Sequence, residues 1–586
     1  MQVLGAALLL GALASLTPGA PEGDVEARRK ALQALLKEHW EYRLERNPLL
    51  ASGLGDRRWN DKVPDISREA EERNQAQAQR FSNRFETINT AGFPEQEALN
   101  KTLMVRQLRL QLEGYRLEEW KMPINHISGL HMDAPQWSSR LPFETVKDYN
   151  DYIARLKQLP GMLDVTMAHM RLGMRDGLMP MRLMMEIAVQ RTGKVIGMAP
   201  EESPFVQCLK RFSSKIPAEE QEKIRGEMIA VVCDSINPAY RKFIGFLRDE
   251  YAPKGRQDPG IWSLPNGAAR YALAAKESTT TNLTPEEIHQ VGLREVARIE
   301  SGMLAIARKH GYKDLKSFDK HIASDPKFHP TSREQILEEY RKYSDRMRPE
   351  LPKLFGRLPK AGFVVQNVEP FRDNGWGAQY QSPSPDGKRP GIVQVFTSNP
   401  EKQSLIGIEA TAYHEGVPGH HLQIAIQQEQ EALPPFRQHG GNSAFSEGWA
   451  LYAEQLAKDA GFYTSSYNDY GRLKSELLRG VRLVLDTGMH HKKWSRDQAV
   501  EYFRARPGMD ETTIEIETNR YISWPAQVLS YKIGQLTFSK LRGRAEKALG
   551  AKFRLTDFHD QCLGAGALPM DVLEARIDAW IQRQVK

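Results

Sequence analysis

Cysteine is nearly absent from this 586-residue chain: Cys208, Cys233 and Cys562 are the only three. That excludes a disulfide framework, and an odd number leaves at least one thiol unpaired. Cys208 and Cys233 either pair in an oxidising compartment or stay as buried thiols, and no cysteine has a C-x-x-C or zinc-finger spacing. No apolar run reaches the ~18 residues needed to span a bilayer, so no membrane span is expected. There is no run of Lys and Arg and no basic-aromatic stripe. The net charge of +7 is spread through acid-rich helical segments, which describes a solvated surface and argues against a nucleic-acid partner. No internal repeat or low-complexity tract occurs. Histidine is scarce too, at 15 residues, so any clustering of it carries information.

At the N-terminus, Val3 to Leu16 is small and apolar, too short to span a membrane but suited to a secretory leader. Cleavage is expected after Ala20, with Ala12-Leu-Ala14 as an alternative, giving a periplasmic or secreted protein. No cysteine lies nearby to carry a lipid anchor. The length suggests more than one structural unit. From Val25 onward the period is helical: 25–46, 67–88, 95–120, then 143–159 and 162–177 divided by Pro160-Gly161. A helix over 217–251 bends near Pro238, and Thr284-Pro-Glu-Glu287 opens another with a capping box. After Pro359 the pattern turns β-like at 362–368, 377–381 and 391–397, with a turn at Ser382 to Gly387. The expected fold is therefore mainly α, with a small β-sheet just before the histidine-rich segment.

That segment reads Ala410-Thr-Ala-Tyr-His414-Glu415-Gly-Val-Pro418-Gly419-His420-His421-Leu-Gln423. Imidazole and carboxylate side chains hold catalytic zinc, and an adjacent glutamate can deprotonate the water such an ion activates. In H-E-x-x-H, two histidines one helical turn apart share an ion. Here the fifth position is Pro418, which cannot ligate, and the next histidines come six and seven residues after His414. In an unbroken helix seven residues climb about 10 Å. A widened turn over Gly416 to Gly419 is therefore expected, with His420 favoured over His421 as second ligand and His421 left for substrate. Downstream, Ser446-Glu447-Gly-Trp-Ala-Leu-Tyr-Ala-Glu454 supplies the third ligand, Glu447, with Ser446 as helix cap and Glu454 orienting a ligand histidine.

His414 to Gln423 followed by Phe445 to Glu454 resembles the bacterial domain-of-unknown-function 885 family (DUF885). The resemblance extends to Leu283 to His289 and Asp386 to Gly391. More distantly the arrangement is similar to the helical metallopeptidases related to angiotensin-converting enzyme, neurolysin and the thermostable carboxypeptidases. The resemblance implies a two-lobed helical clam with zinc at the floor of a deep central cleft. It divides the chain into a signal peptide (1–20), an N-terminal helical lobe (21–280) and a zinc-site lobe (281–586), with the lobes intertwined. The Arg520-Tyr521 pair is similar to one beside the zinc in those peptidases, which implies Tyr521 as oxyanion donor, with Tyr531 as its rival. An extended peptide docking on 377–381 or 391–397 by strand addition is likewise implied.

From residue chemistry, Glu415 is the expected base, and His490 is a further donor toward developing charge. Arg482 and Arg520 are either structural ion pairs or binders of a substrate carboxylate. The expectation is an exported Zn2+-dependent metallohydrolase cleaving short peptides, as a carboxypeptidase or dipeptidase. The alternatives are an amidase or isopeptidase on a non-standard amide, or an inactive peptide-binding protein.

Overall fold

The computed structural model describes residues 22–368, 373, 377–384, 387 and 389–585. The expected leader over 1–20 and Asp386 of the expected turn lie outside the described residues. The fold is mainly α, 71% helical, with one three-stranded sheet among the described residues. No described helix is long and apolar enough to cross a membrane.

The elements that shape the interior begin with α1 (Val146–Arg175), capped by a reciprocal Thr145–Asp148 box. It runs unbroken through Pro160, correcting the division expected there. One backbone hydrogen bond is lost at the proline. Leu156, Leu159 and Leu163 are fully buried on either side of it, and that packing holds the helix through the break. The 218–251 region is helical as expected, but its irregularities are two π turns at Val232–Ile236 and Leu247–Tyr251, which flank the Asn237–Phe246 helix containing Pro238. Helix α2 (Pro285–Lys309) opens on the predicted Thr284–Glu287 capping box.

The strands β1 (Phe363–Asn367), β2 (Ala378–Gln381) and β3 (Gly391–Val395) form a sheet ordered β1-β3-β2. β3 is central and buried throughout, parallel to β1 and antiparallel to β2. β2 is thus an edge strand. The sheet leads into α3 (Ile408–Glu415) and α4 (His420–Gln428), then α5 (Ser443–Asp459), α6 (Ser466–His490), α7 (Glu511–Ser523) and α8 (Leu529–Leu549).

Two large apolar cores hold these elements. One joins α1 and the 218–251 helices to α2 and α6; the other joins the sheet, α3, α5, α8 and the C-terminal helices. The first draws residues from both sides of position 280, such as Met170 and Leu477. Helices α5 and α8 meet at glycines: a Cβ on Gly448 would lie 2.5 Å from the Gly534 backbone. This close approach fixes α5, which carries Glu447, against a rigid neighbour. Cys208, Cys233 and Cys562 are all free thiols; Cys208 is buried with its Sγ 3.7 Å from Met228 Sδ.

Candidate metal centre and active site

Helix α3 ends at Glu415 because Gly416 leaves helical geometry, at φ −94° and ψ −120°. The chain turns through a cis Val417–Pro418 bond, and a second helix starts at His420. The expected widened turn is in fact a break and a restart. A Cβ on Gly419 would sit 2.0 Å from the His414 carbonyl oxygen, so glycine is what lets the new helix begin against the end of the old one. The turn is fastened twice. The His421 N–H donates to the Gly416 carbonyl at 3.1 Å, and the Trp449 indole N–H donates to the Pro418 carbonyl at 2.9 Å.

This break solves the spacing problem. His414 Nε2 and His420 Nε2 lie 3.4 Å and 3.6 Å from the same atom, Glu447 Oε2, and the two imidazole planes are nearly perpendicular at 86°. Hydrogen-bonded N···O pairs sit at about 2.7–3.2 Å. Tetrahedral ligands each ~2.0–2.1 Å from one zinc are about 3.3–3.4 Å apart. The observed distances fit co-ligands of a single ion. No other group of three ligand-type side chains among the described residues is close enough to share one.

Helix α5 is capped by Asn442, whose side chain accepts from the Phe445 N–H, and not by Ser446 as expected. Glu447 therefore lies one turn into the helix, held by the packing of Phe445, Gly448 and Trp449 beneath it. Glu454 fills its expected role: its carboxylate accepts from His414 Nδ1 at 2.8 Å, which aims Nε2 at the ion position. His420 Nδ1 is buried with no hydrogen-bond partner among the described residues.

Three carboxylates, Glu415, Glu447 and Glu454, gather around two imidazoles. Burial disfavours charge on His414, but the Glu447 and Glu454 carboxylates outweigh it and push the imidazole up to about 10. Burial likewise opposes charge on Glu447, yet His414 and His420 hold it well below the usual carboxylate range. The cluster calls for positive charge, and a divalent cation supplies it without protonating a ligand. Glu415 is raised by burial, in the direction that suits a group taking and returning a proton near neutrality.

All four residues of the core constellation, His414, Glu415, His420 and Glu447, line a cavity of about 790 Å³. A family model for bacterial proteins of unknown function, DUF885, matches residues 48–577. The chain belongs to the DUF885 family. A crystal structure of a candidate lipoprotein from Colwellia psychrerythraea is similar, with 28% identity and a TM-score of 0.89 over 95% of this chain and 99% of that one. A candidate lipoprotein of unknown function from Shewanella oneidensis shares the fold, with 16% identity and a TM-score of 0.70 over 94% of this chain and 99% of that one. A search of curated proteins finds no match.

Other expected site residues of this DUF885 protein fall elsewhere. His421 does not face the cavity: its Nε2–H donates to the Ala361 carbonyl at 3.0 Å, so Nδ1 accepts from the Tyr380 hydroxyl at 2.9 Å. Burial lowers it to about 4, and it acts as a neutral fastener between sheet and helix. His490 is similarly consumed. Its Nδ1 accepts from the Ile261 N–H and its Nε2 donates to the Tyr521 carbonyl, each at 3.0 Å, with burial lowering it to about 3. The Tyr521 hydroxyl donates to Glu517 at 2.5 Å, fully buried and away from the cavity wall. Its rival Tyr531 does line the cavity, as do Arg482 and Arg520.

Arg479 was not anticipated. It lies on α6 one turn before Arg482, lines the cavity, and is close enough for its charge to act on Glu415. Its only sequence signal is the Arg479–Arg482 spacing, which puts both on one helix face.

Proposed function

We propose that this protein is an exported zinc-dependent metallohydrolase that cleaves short peptides. One observation carries the reading: His414 Nε2, His420 Nε2 and Glu447 Oε2 are spaced as ligands of one ion, with the carboxylate of Glu415 beside them in the same cavity. The donor set, two imidazoles and one carboxylate with Glu454 behind the first, suits zinc with an open position for substrate. A zinc ion held there supplies Lewis acidity to a carbonyl oxygen and to a water.

The protein's own groups do the remaining work. Glu415 takes the proton of the attacking water and returns it to the leaving amine, a task favoured by its raised pKa. No hydrogen bond from another described residue ties this carboxylate down. Arg479 lines the cavity and offers donors to the oxyanion that forms. Gly377 and, on edge strand β2, Ala378 to Tyr380 form another part of the wall. An extended peptide laid against that edge adopts strand geometry, whereas the buried β3 offers no such edge. We read the cavity as the floor of a cleft between two helical lobes, with the substrate enclosed within it.

Export is supported by the naming of both structural relatives as candidate lipoproteins and by the apolar segment Val3 to Leu16. The test is a peptide library digested with and without chelator, with products read by mass. The expected result is chelator-sensitive cleavage that falls about 10²–10⁴-fold in Glu415→Gln while the bound metal stays. Cleavage indifferent to both chelator and Glu415→Gln would overturn the reading.

A further inference from the structure

The cavity has a second chemical pole. Arg482 is 3% exposed; its Nε donates to Glu517 Oε2 at 2.9 Å, and its Nη1 is buried with no hydrogen-bond partner among the described residues. Arg520 Nη1 lies 3.3 Å from the other oxygen of the same carboxylate. Two guanidiniums thus share one carboxylate, a net charge of +1. The Tyr531 ring packs on Arg482, 4.6 Å from centroid to Cζ, and its hydroxyl lies 3.4 Å from Arg520 Nη2. All three side chains, Arg482, Arg520 and Tyr531, line the cavity that holds Glu415. A buried guanidinium N–H without an acceptor is costly unless something supplies one.

We propose that Arg482, Arg520 and Tyr531 form a subsite for the free C-terminal carboxylate of the substrate, so that the protein trims short peptides from their C-termini. The inference rests on the metallohydrolase reading. A single carboxylate offers acceptors to both guanidiniums and neutralises the +1 left by the Arg482–Glu517–Arg520 pairing. Arginine and a phenol are the planar and hydroxyl donors that carboxylates accept from. Arg479, whose charge reaches Glu415, and Arg482 are one turn apart on α6 and line the same cavity, so the anchor and the reacting centre share one wall. In the bond balance, water adds across the C–N bond: hydroxyl to the carbonyl carbon, and a proton, carried by Glu415, to the leaving nitrogen.

The test uses zinc-loaded full chain carrying Glu415→Gln, titrated calorimetrically with N-acetylated trialanine and with its C-terminal amide. The acid is expected to bind about tenfold or more tightly than the amide. Adding Arg520→Gln, at a side chain 22% exposed, spares the buried Arg482–Glu517 pair and should reduce that ratio to about threefold or less, and Tyr531→Phe should reduce it partway. Equal binding of acid and amide, or binding of neither, overturns the subsite. Wild-type hydrolysis separates the two ideas. Chelator-sensitive cleavage of acid and amide at equal rates sinks the subsite and leaves the metallohydrolase standing. Discrimination in binding with no hydrolysis of any peptide keeps the subsite and sinks the metallohydrolase.

Discussion

Lys532 and His414 each sit in a buried knot of charge, and the two knots are balanced in opposite ways. Around Lys532, the ammonium reaches Glu476 at 2.6 Å and Glu295 at 2.9 Å, while Arg298 and Arg472 reach Glu476 at 2.5 Å and 3.1 Å. Arg472 also holds Asp469 at 2.9 Å. Lys458 reaches Asp469 at 2.8 Å as well, so three carboxylates meet four permanent cations, and the network clamps α2, α6 and α8 together. Around His414, Glu447 and Glu454 touch only imidazoles, which need not be charged, Arg479 acts on Glu415 without pairing to it, and the N–O distances to Glu447 are too long for hydrogen bonds. Carboxylates that all touch permanent cations mark a structural network; carboxylates that touch only imidazoles, beside a cavity, mark a place for a cation.

Substitutions on the two sides should therefore separate stability from metal. The largest effect belongs to Lys532→Met, which takes the fully buried cation from Glu476 and Glu295 and leaves each carboxylate one partner short. We expect a loss of up to about 3–5 kcal/mol in denaturant unfolding, with metal content per folded chain unchanged. The same network sets an acid limit. Burial opposes charge on Glu476, but Lys532 and its neighbours lower it from 4.5 to about 2. A depressed carboxylate stabilises the fold above its unfolded value, so this contribution is complete above 4.5 and is lost as pH falls toward 2. It should amount to roughly 3 kcal/mol at most, and unfolding curves taken across that window should flatten in Lys532→Met.

On the open side, Glu454→Gln replaces the charged acceptor that orients His414 with a neutral amide. Metal affinity should fall about 10–100-fold, read by chelator competition, with little change in stability. The smallest effect is expected at Tyr521→Phe. Losing the hydroxyl bound to Glu517 should cost about 1–2 kcal/mol of stability, while hydrolysis stays within about twofold. A much larger loss of activity would return Tyr521 to the site.

The metal constellation was legible in the sequence because its parts are local. His414, Glu415 and His420 fall within seven positions, and Glu447 and Glu454 share one helix face. The need for a break was legible from Pro418; the form it takes was not, since it depends on Gly419 meeting the His414 carbonyl and on Trp449 reaching Pro418 from another helix. His490 and His421 look like donors in sequence, but their hydrogen bonds are consumed by Ile261, Ala361 and Tyr380, partners that only the tertiary fold brings near; Tyr521 is held by Glu517 one turn back on its own helix. Pro160 marked a boundary that buried leucines on both sides override. The sheet showed the same limit: strands were readable from their residues, whereas the parallel pairing of β1 with β3 was not. Arg479 and the Arg482–Glu517–Arg520 cluster gain meaning only when α6 and α7 face one cavity.

The account stands most directly on the metal content of purified wild-type protein beside Glu447→Gln, measured by elemental analysis after dialysis against a weak chelator. The account predicts about one zinc per wild-type chain and almost none in a folded Glu447→Gln. Wild-type protein that binds no metal, or a variant that retains it fully, would contradict it.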